Sequence, residues 1–200
     1  MNAVRMMCVA GLAALTMTAV PAMGGNIIDE WDSVKTPPAP KVEDVTVDPK
    51  TTALLVLDFN PPICAANTNP RCIASVPAVQ KLLQAARAKN MTVIYTAGAG
   101  KQGADILPEL KPTGNEPVFL TSSDKFYNTD LEKTLKEKGI NTVIVTGVAA
   151  NGAVLFTATA AVRRDLGVIV PIDGASAQNP YAEQITAWQL ANSPGQIGKI

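Results

Sequence analysis

Three stretches of the chain carry residues able to do chemistry. Asp58 follows directly on the apolar run Thr52–Leu57. Lys125 lies beyond a weaker apolar segment. A turn of mostly small residues, Gly147-Val148-Ala149-Ala150-Asn151-Gly152-Ala153, joins another apolar run to a helical pattern. A carboxyl group can give and take a proton, and an ammonium group can neutralise an anion. The first turn of a helix exposes unpaired backbone N–H groups. Brought together, these parts suit acid/base chemistry on a small polar molecule. Each also has a plainer reading. Asp58 could cap a turn, Lys125 could be a solvated loop residue, and the small residues could simply let a helix pack closely on a sheet.

The composition removes other chemistries. The chain contains no histidine, which takes away the commonest general base and the commonest metal ligand, so no metal and no cofactor are expected. Gly98–Gly103 is glycine-rich but lacks the Gly-Lys-Ser/Thr ending of a phosphate loop and reads as a mobile loop. Lys plus Arg and Asp plus Glu both number 17, so no net positive field draws the chain to nucleic acid.

The elements that must hold these residues follow from apolar patterning. Thr52–Leu57, Met91–Thr96, Thr142–Thr146 and Val168–Ile172 are continuous apolar runs, as expected of strands buried on both faces. Glu116–Leu120 is a weaker strand. Between them lie helical patterns. One starts at Ser75 and Pro77, with Val76, Val79, Leu83 and Ala86 facing inward. A second opens with the capping box Thr129-Asp130-Leu131-Glu132, buries Leu131 and Leu135, and stops at Gly139. A third, capped by Asn151, runs through Val154, Ala158 and Ala161 to Arg163 and Arg164. A fourth begins at Asn179-Pro180 and runs through Ile185 and Trp188. Strand and helix in alternation predict a three-layer α/β/α fold around a doubly wound, mostly parallel sheet. Ligands of such folds bind beyond the carboxyl ends of the strands, where Asp58, Lys125 and the Gly147–Ala153 turn belong.

With 200 residues, 47% of them hydrophobic, the chain is sized for one ordinary domain. Arg5, the apolar stretch Met6–Val20 and the small residues Val20-Pro21-Ala22 read as a secretory signal. The expected organisation is a leader over 1–24, an extended arm over 25–50 stiffened by Pro37, Pro38 and Pro40, and an α/β domain over 51–200. That organisation implies an exported protein, periplasmic or secreted, with no stable membrane anchor. Beyond the leader two cysteines remain, Cys64 and Cys72. In an exported chain they are expected to form a disulfide, two free thiols being the alternative.

Several segments together resemble the isochorismatase-like cysteine hydrolases. Thr52-Ala-Leu-Leu-Val-Leu-Asp58-Phe59-Asn60 is similar to the family's opening strand, which ends in its catalytic aspartate. Phe126-Tyr-Asn-Thr129-Asp-Leu131 is similar to the stretch just after the catalytic lysine. Thr142-Val-Ile-Val-Thr-Gly147-Val148-Ala149 resembles the strand and turn that present the nucleophile, and Gly167-Val-Ile-Val-Pro-Ile-Asp173-Gly-Ala-Ser176 the last strand segment. The resemblance implies a pocket bordered by Phe59, Phe126, Val148, Ala149, Asn151 and Gly152. It places Ala153 where the cysteine hydrolases carry their nucleophile, and Phe119 or Leu120 where they usually carry lysine, which leaves Lys125 as the candidate. Isochorismatases proper also have a small residue at the nucleophile position and cleave a vinyl ether by protonation from an aspartate. The nicotinamidases of the family bind zinc through an aspartate and two histidines, which this chain cannot do. The expectation is a hydrolase acting on a small molecule, with Asp58 as acid/base and no cysteine nucleophile. The alternative is a small-molecule-binding pseudoenzyme of the same fold. Self-association into a homo-oligomer stays open.

Overall fold

The computed structural model of the chain describes residues 25–98 and 105–195. The expected leader over 1–24 and most of the Gly98–Gly103 loop lie outside the described residues. The chain divides into two compact units, Met1–Pro38 and Ala39–Ile200. In the first, the described part is exposed and holds one short 3-10 turn, Trp31–Ser33. The second contains the sheet and its helices.

Strand β1 (Thr52–Leu57) is buried along its whole length. Its side chains alternate between two cores. Leu54 and Val56 pack with Val79 and Leu83 of helix α1 (Pro70–Ala88) on one face. Ala53, Leu55 and Leu57 pack on the other with Leu131 and Leu135 of α2 (Leu131–Glu137) and with Val154 and Ala158 of the segment after β4. That two-sided burial is why the run reads as continuously apolar. Strands β2 (Thr92–Ala97) and β4 (Thr142–Val148) flank β1, both parallel to it. β3 (Val118–Leu120) lies outside β2, and β5 (Gly167–Ile169) outside β4. The order is β3-β2-β1-β4-β5, with a two-residue strand β6 (Ala175–Ser176) also on β4. The chain winds outward from β1 to β3, then crosses to β4 and winds the other way. The winding therefore reverses between β1 and β4, the place where such sheets open a crevice.

Four elements differ from the sequence expectation. Helix α2 starts behind Asp130 with no side-chain cap, and the Glu132 carboxylate accepts from Lys136 and Arg164 instead of closing a capping box with Thr129. Helix α1 begins at Pro70, not at Ser75–Pro77: Asn69 caps it by accepting from Cys72 N at 3.1 Å, Pro70 takes the first position, and Pro77 sits inside the helix. The expected strand Val168–Ile172 breaks after Ile169 and resumes as β6. Pro171, which has no N–H for a ladder, lies in the gap. Asn151 does not cap the third helix. The chain leaves β4 through Ala149 into a single π-helical turn, Ala150–Val154, and only then enters α3 (Leu155–Val162). The last helix, α4 (Pro180–Asn192), is capped by Asn179 as its sequence suggests, but it buries Ala182, Thr186 and Leu190 and leaves Ile185 and Trp188 exposed. No helix among the described residues is long and apolar enough to cross a membrane.

Candidate active site

Asp58 is the first residue beyond β1. Its amide still donates to Thr96 O of β2 at 3.1 Å, so the strand ladder holds its backbone. Its φ of 59° is left-handed, a conformation that asparagine and aspartate tolerate better than most residues. Asn60 N closes a tight turn onto Asp58 O at 2.7 Å. The carboxyl group is thus swung out of the strand direction at the carboxyl edge of the sheet, and Asp58 is 6% exposed. Its neighbour β4 must approach closely here. Gly147 pairs with Leu57 and has a φ of 146°, and a Cβ on it would lie 2.5 Å from both Leu57 Cβ and Leu57 O. Glycine is required at that position by space and by conformation.

Lys125 comes from the loop between β3 and α2 and is 1% exposed. Its Nζ donates to Asp58 Oδ2 at 2.6 Å and to Ser122 O at 2.6 Å. Thr96 Oγ1 donates to the other carboxylate oxygen, Oδ1, at 2.9 Å. A buried ion pair withstands its desolvation only when such extra hydrogen bonds complete it. The third N–H of the ammonium has no partner among the described residues. The loop is held at its backbone: Lys125 N donates to Thr157 Oγ1 of α3 at 3.3 Å, and Thr129 Oγ1 donates to Lys125 O at 2.6 Å. Next to it, Phe126 packs in the core on the α2–α3 face, and the Arg164 guanidinium lies 4.5 Å from the centre of its ring.

Ala153 belongs to the π-helical turn after β4, is 5% exposed, and shares the core of Phe126. The turn is entered through a cis peptide between Val148 and Ala149. Gly152 N donates back to Ala149 O at 3.0 Å, and Asn151 points to solvent. Asp58 and Lys125 therefore meet at the switch point, and the turn leaves β4 at the same edge of the sheet. Phe59 and Val148 do not join Phe126. They belong to the core on the α1 face, across the sheet. Leu120, one of the two residues at the usual lysine position, is 51% exposed. Cys64 and Cys72 form a disulfide that ties the loop after Asp58 to the first turn of α1.

Sequence reasoning missed Thr96 and Thr157. Both are polar residues on otherwise apolar, fully buried surfaces, the end of β2 and the inner side of α3, and that contrast was the available signal. Among the described residues no group of three or more cysteines or carboxylates could hold a metal. Two surface clefts among the described residues lie elsewhere. One of about 470 Å³ adjoins Thr159, Arg163 and Gln189, and one of about 300 Å³ lies between α1 and Pro171–Gly174. Neither contains a buried charged pair.

The doubly wound α/β sheet thus carries a buried carboxylate–ammonium pair at its point of reversal. The chain belongs to the isochorismatase family: the model of the Isochorismatase domain matches residues 52–198. It is 27% identical over 150 residues to an N-carbamoylsarcosine amidase from Arthrobacter sp, covering 61% of this chain and 57% of that one. It is 26% identical over 93 residues to the uncharacterized isochorismatase family protein YaaI of Bacillus subtilis (strain 168), covering 46% and 51%. The chain thus spans little more than half the length of the curated relatives it matches. Among solved structures, an isochorismatase-like hydrolase from Alkaliphilus metalliredigens superposes with a TM-score of 0.67 at 27% identity, covering 70% of this chain and 90% of that one.

Proposed function

We propose that the chain is a hydrolase acting on a small molecule, with Asp58 as its acid/base group, Lys125 as the charge that partners it, and no cysteine nucleophile. The observation that carries this reading is the buried Asp58–Lys125 contact of 2.6 Å beside the turn that holds Ala153. A left-handed aspartate and a buried lysine are both costly, and such costs gather at functional sites. The methyl group of Ala153 cannot attack a carbonyl, so acyl transfer through a thiolate is outside this reading. Protonation of an enol-ether carbon by the Asp58 carboxyl, addition of water to the resulting oxocarbenium carbon with return of a proton to Asp58, and collapse of the hemiketal to a carbonyl with release of the alcohol need no nucleophilic side chain. The disulfide supports an oxidising compartment, and with the Arg5–Ala22 pattern we read the chain as exported.

A second reading, a binding protein that has kept the fold without the chemistry, is favoured by Asp58 having both carboxylate oxygens already engaged. One experiment separates the two. Wild type and Asp58→Asn are compared for turnover and affinity on a panel of small enol ethers and N-carbamoyl compounds. Under the hydrolase reading, the variant loses about 10²-fold or more in turnover, the usual scale of a general acid/base, while affinity changes little. Undiminished turnover removes Asp58 from the mechanism. Binding without turnover in wild type selects the second reading.

A further inference from the structure

Thr157 stands out among the buried polar residues because of where its hydroxyl goes. A threonine inside a helix ordinarily bonds back to the carbonyl one turn earlier. Thr186 of α4 does so, donating to Ala182 O at 2.7 Å. Thr157 is 0% exposed and lies one turn after Ala153, yet its hydroxyl leaves the helix. It accepts from Lys125 N at 3.3 Å and donates to Ser123 O at 3.5 Å. Both partners belong to the loop that delivers the ammonium to Asp58.

That loop needs such a tie. Lys125 is not on a strand: β3 ends at Leu120, and four residues separate it from the lysine. What fixes Nζ opposite Asp58 is therefore the hydrogen bonding of the loop backbone. Thr129 holds the Lys125 carbonyl, but it sits next to the N-terminus of α2 and within the same segment. Thr121 N at the start of the loop donates to Ala97 O of β2 at 3.1 Å, and Phe126 is packed in the core, but Thr157 is the side chain from outside that bonds the backbone at Lys125 itself, and it comes from the helix that also follows the Ala153 turn.

We propose that Thr157 is the positioning residue of the site. Through its hydroxyl, α3 holds the Lys125 loop in register with Asp58, so that one helix sets the placement of both the ammonium and the turn at position 153. This rests on the Asp58–Lys125 pair being the working centre. The proposal extends that reading by naming what keeps the pair together when the lysine is supplied from a loop.

The test needs no substrate. Each lysine of the folded, full-length protein is labelled with a limiting amount of acetic anhydride, and the rate at each site is read by peptide mass spectrometry, with Lys133 and Lys136 as exposed controls. In wild type Lys125 is labelled far more slowly than the controls. In Thr157→Val, which keeps the shape and loses the hydroxyl, Lys125 labelling rises about tenfold, the effect of one net hydrogen bond on a local opening equilibrium. Thr157→Ser restores the wild-type rate, and the controls stay constant throughout. An unchanged Lys125 rate in Thr157→Val overturns the proposal. So does a rise at every lysine together, or a Thr157→Ser variant as reactive as Thr157→Val. Asp58→Asn serves as the separate arm. If Lys125 labelling does not change there either, the ion pair itself is at fault. If it rises in Asp58→Asn but not in Thr157→Val, only the role of Thr157 falls.

Discussion

The two halves of the candidate site are built by different means. Asp58 is delivered by β1, a strand paired on both sides and covered on both faces, so its backbone has no freedom that the sheet does not share. Lys125 is delivered by a loop outside the sheet, placed by hydrogen bonds from Thr157, Thr129 and its own ammonium. A strand-borne group inherits the stability of the whole domain. A loop-borne group has the stability of a few local contacts and can open without the domain unfolding. Global unfolding should therefore expose faults on the Asp58 side, and local probes those on the Lys125 side.

The largest effect is expected at Gly147, on the strand side. Gly147→Ala would put a methyl group into the space of Leu57 and force a side chain onto a φ of 146°. Leu57 cannot yield, because it is a fully buried residue of the central strand. A loss of about 4 kcal/mol in urea unfolding is expected from overpacking and backbone strain together, enough to leave many domains unfolded. A variant as stable as wild type would mean that β1 and β4 are not locked at this point, and the contrast between the two halves would collapse.

The ion pair itself comes next. Lys125→Met removes the ammonium and leaves a buried carboxylate with Thr96 as its remaining side-chain partner. Breaking a buried pair from one side costs about 3 kcal/mol, because a charge is stranded. Asp58→Asn combined with Lys125→Met strands no charge and is expected to recover a large part of that loss. The comparison is sharpened by the shape of the data. The single variant should lower the unfolding midpoint without changing its slope. A double variant no more stable than Lys125→Met would show that the carboxylate is not stranded by loss of the ammonium.

What the sequence disclosed follows the same division. The buried strands, the residue at the end of β1 and the small-residue turn after β4 were legible because two-sided burial forces an unbroken apolar run, and the residue ending it stands out. The α/β fold was legible for the same reason, and its isochorismatase-like character from the order and spacing of the segments that resemble that family. Lys125 was legible as a candidate from its place beyond β3, but its direct contact with Asp58 was not. The length of a loop does not say where its side chains reach, and five residues beyond the end of β3 the ammonium could point in any direction. Pro77 misled because a proline marks a helix start only when a cap precedes it; the cap here is Asn69, directly before Pro70, and Pro77 lies seven residues further along the same helix. Asn151 misled because the chain takes a π-helical turn where a simple capped helix was expected. Which core Phe59 and Phe126 occupy depends on which face the chain takes after leaving each strand, and composition holds no record of that.

The smallest expected effect lies at the far end of the segment that leads to Lys125. Glu116 precedes β3, and Arg87 at the end of α1 holds its carboxylate with two hydrogen bonds, at 2.9 and 2.7 Å, while also donating to Tyr95 Oη and Lys111 O. Burial pushes the Glu116 carboxyl group up, but hydrogen bonds from Arg87 and the Thr113 amide outweigh it and hold it below the usual carboxylate range. A carboxyl group depressed on folding contributes stability that is fully present above its unfolded value and is lost as the pH falls through its folded value. Glu116→Gln should therefore cost about 1 kcal/mol at neutral pH, the scale of a partly screened ion pair with good geometry. The difference from wild type should stay level down to about pH 4.5 and shrink below that as Glu116 is protonated. Comparing the two proteins at each pH is essential, because Glu132 and Glu183 are also depressed by their ion pairs and lose stability over the same acid range in both. The Lys125 labelling rate, followed in parallel, carries the decision between the halves. If Glu116 only anchors the edge of the sheet, the variant loses global stability while Lys125 stays as protected as before. If Lys125 becomes more reactive in step with that loss, the loop depends on the edge of the sheet as well as on its own hydrogen bonds, and the two halves of the site are coupled through β3.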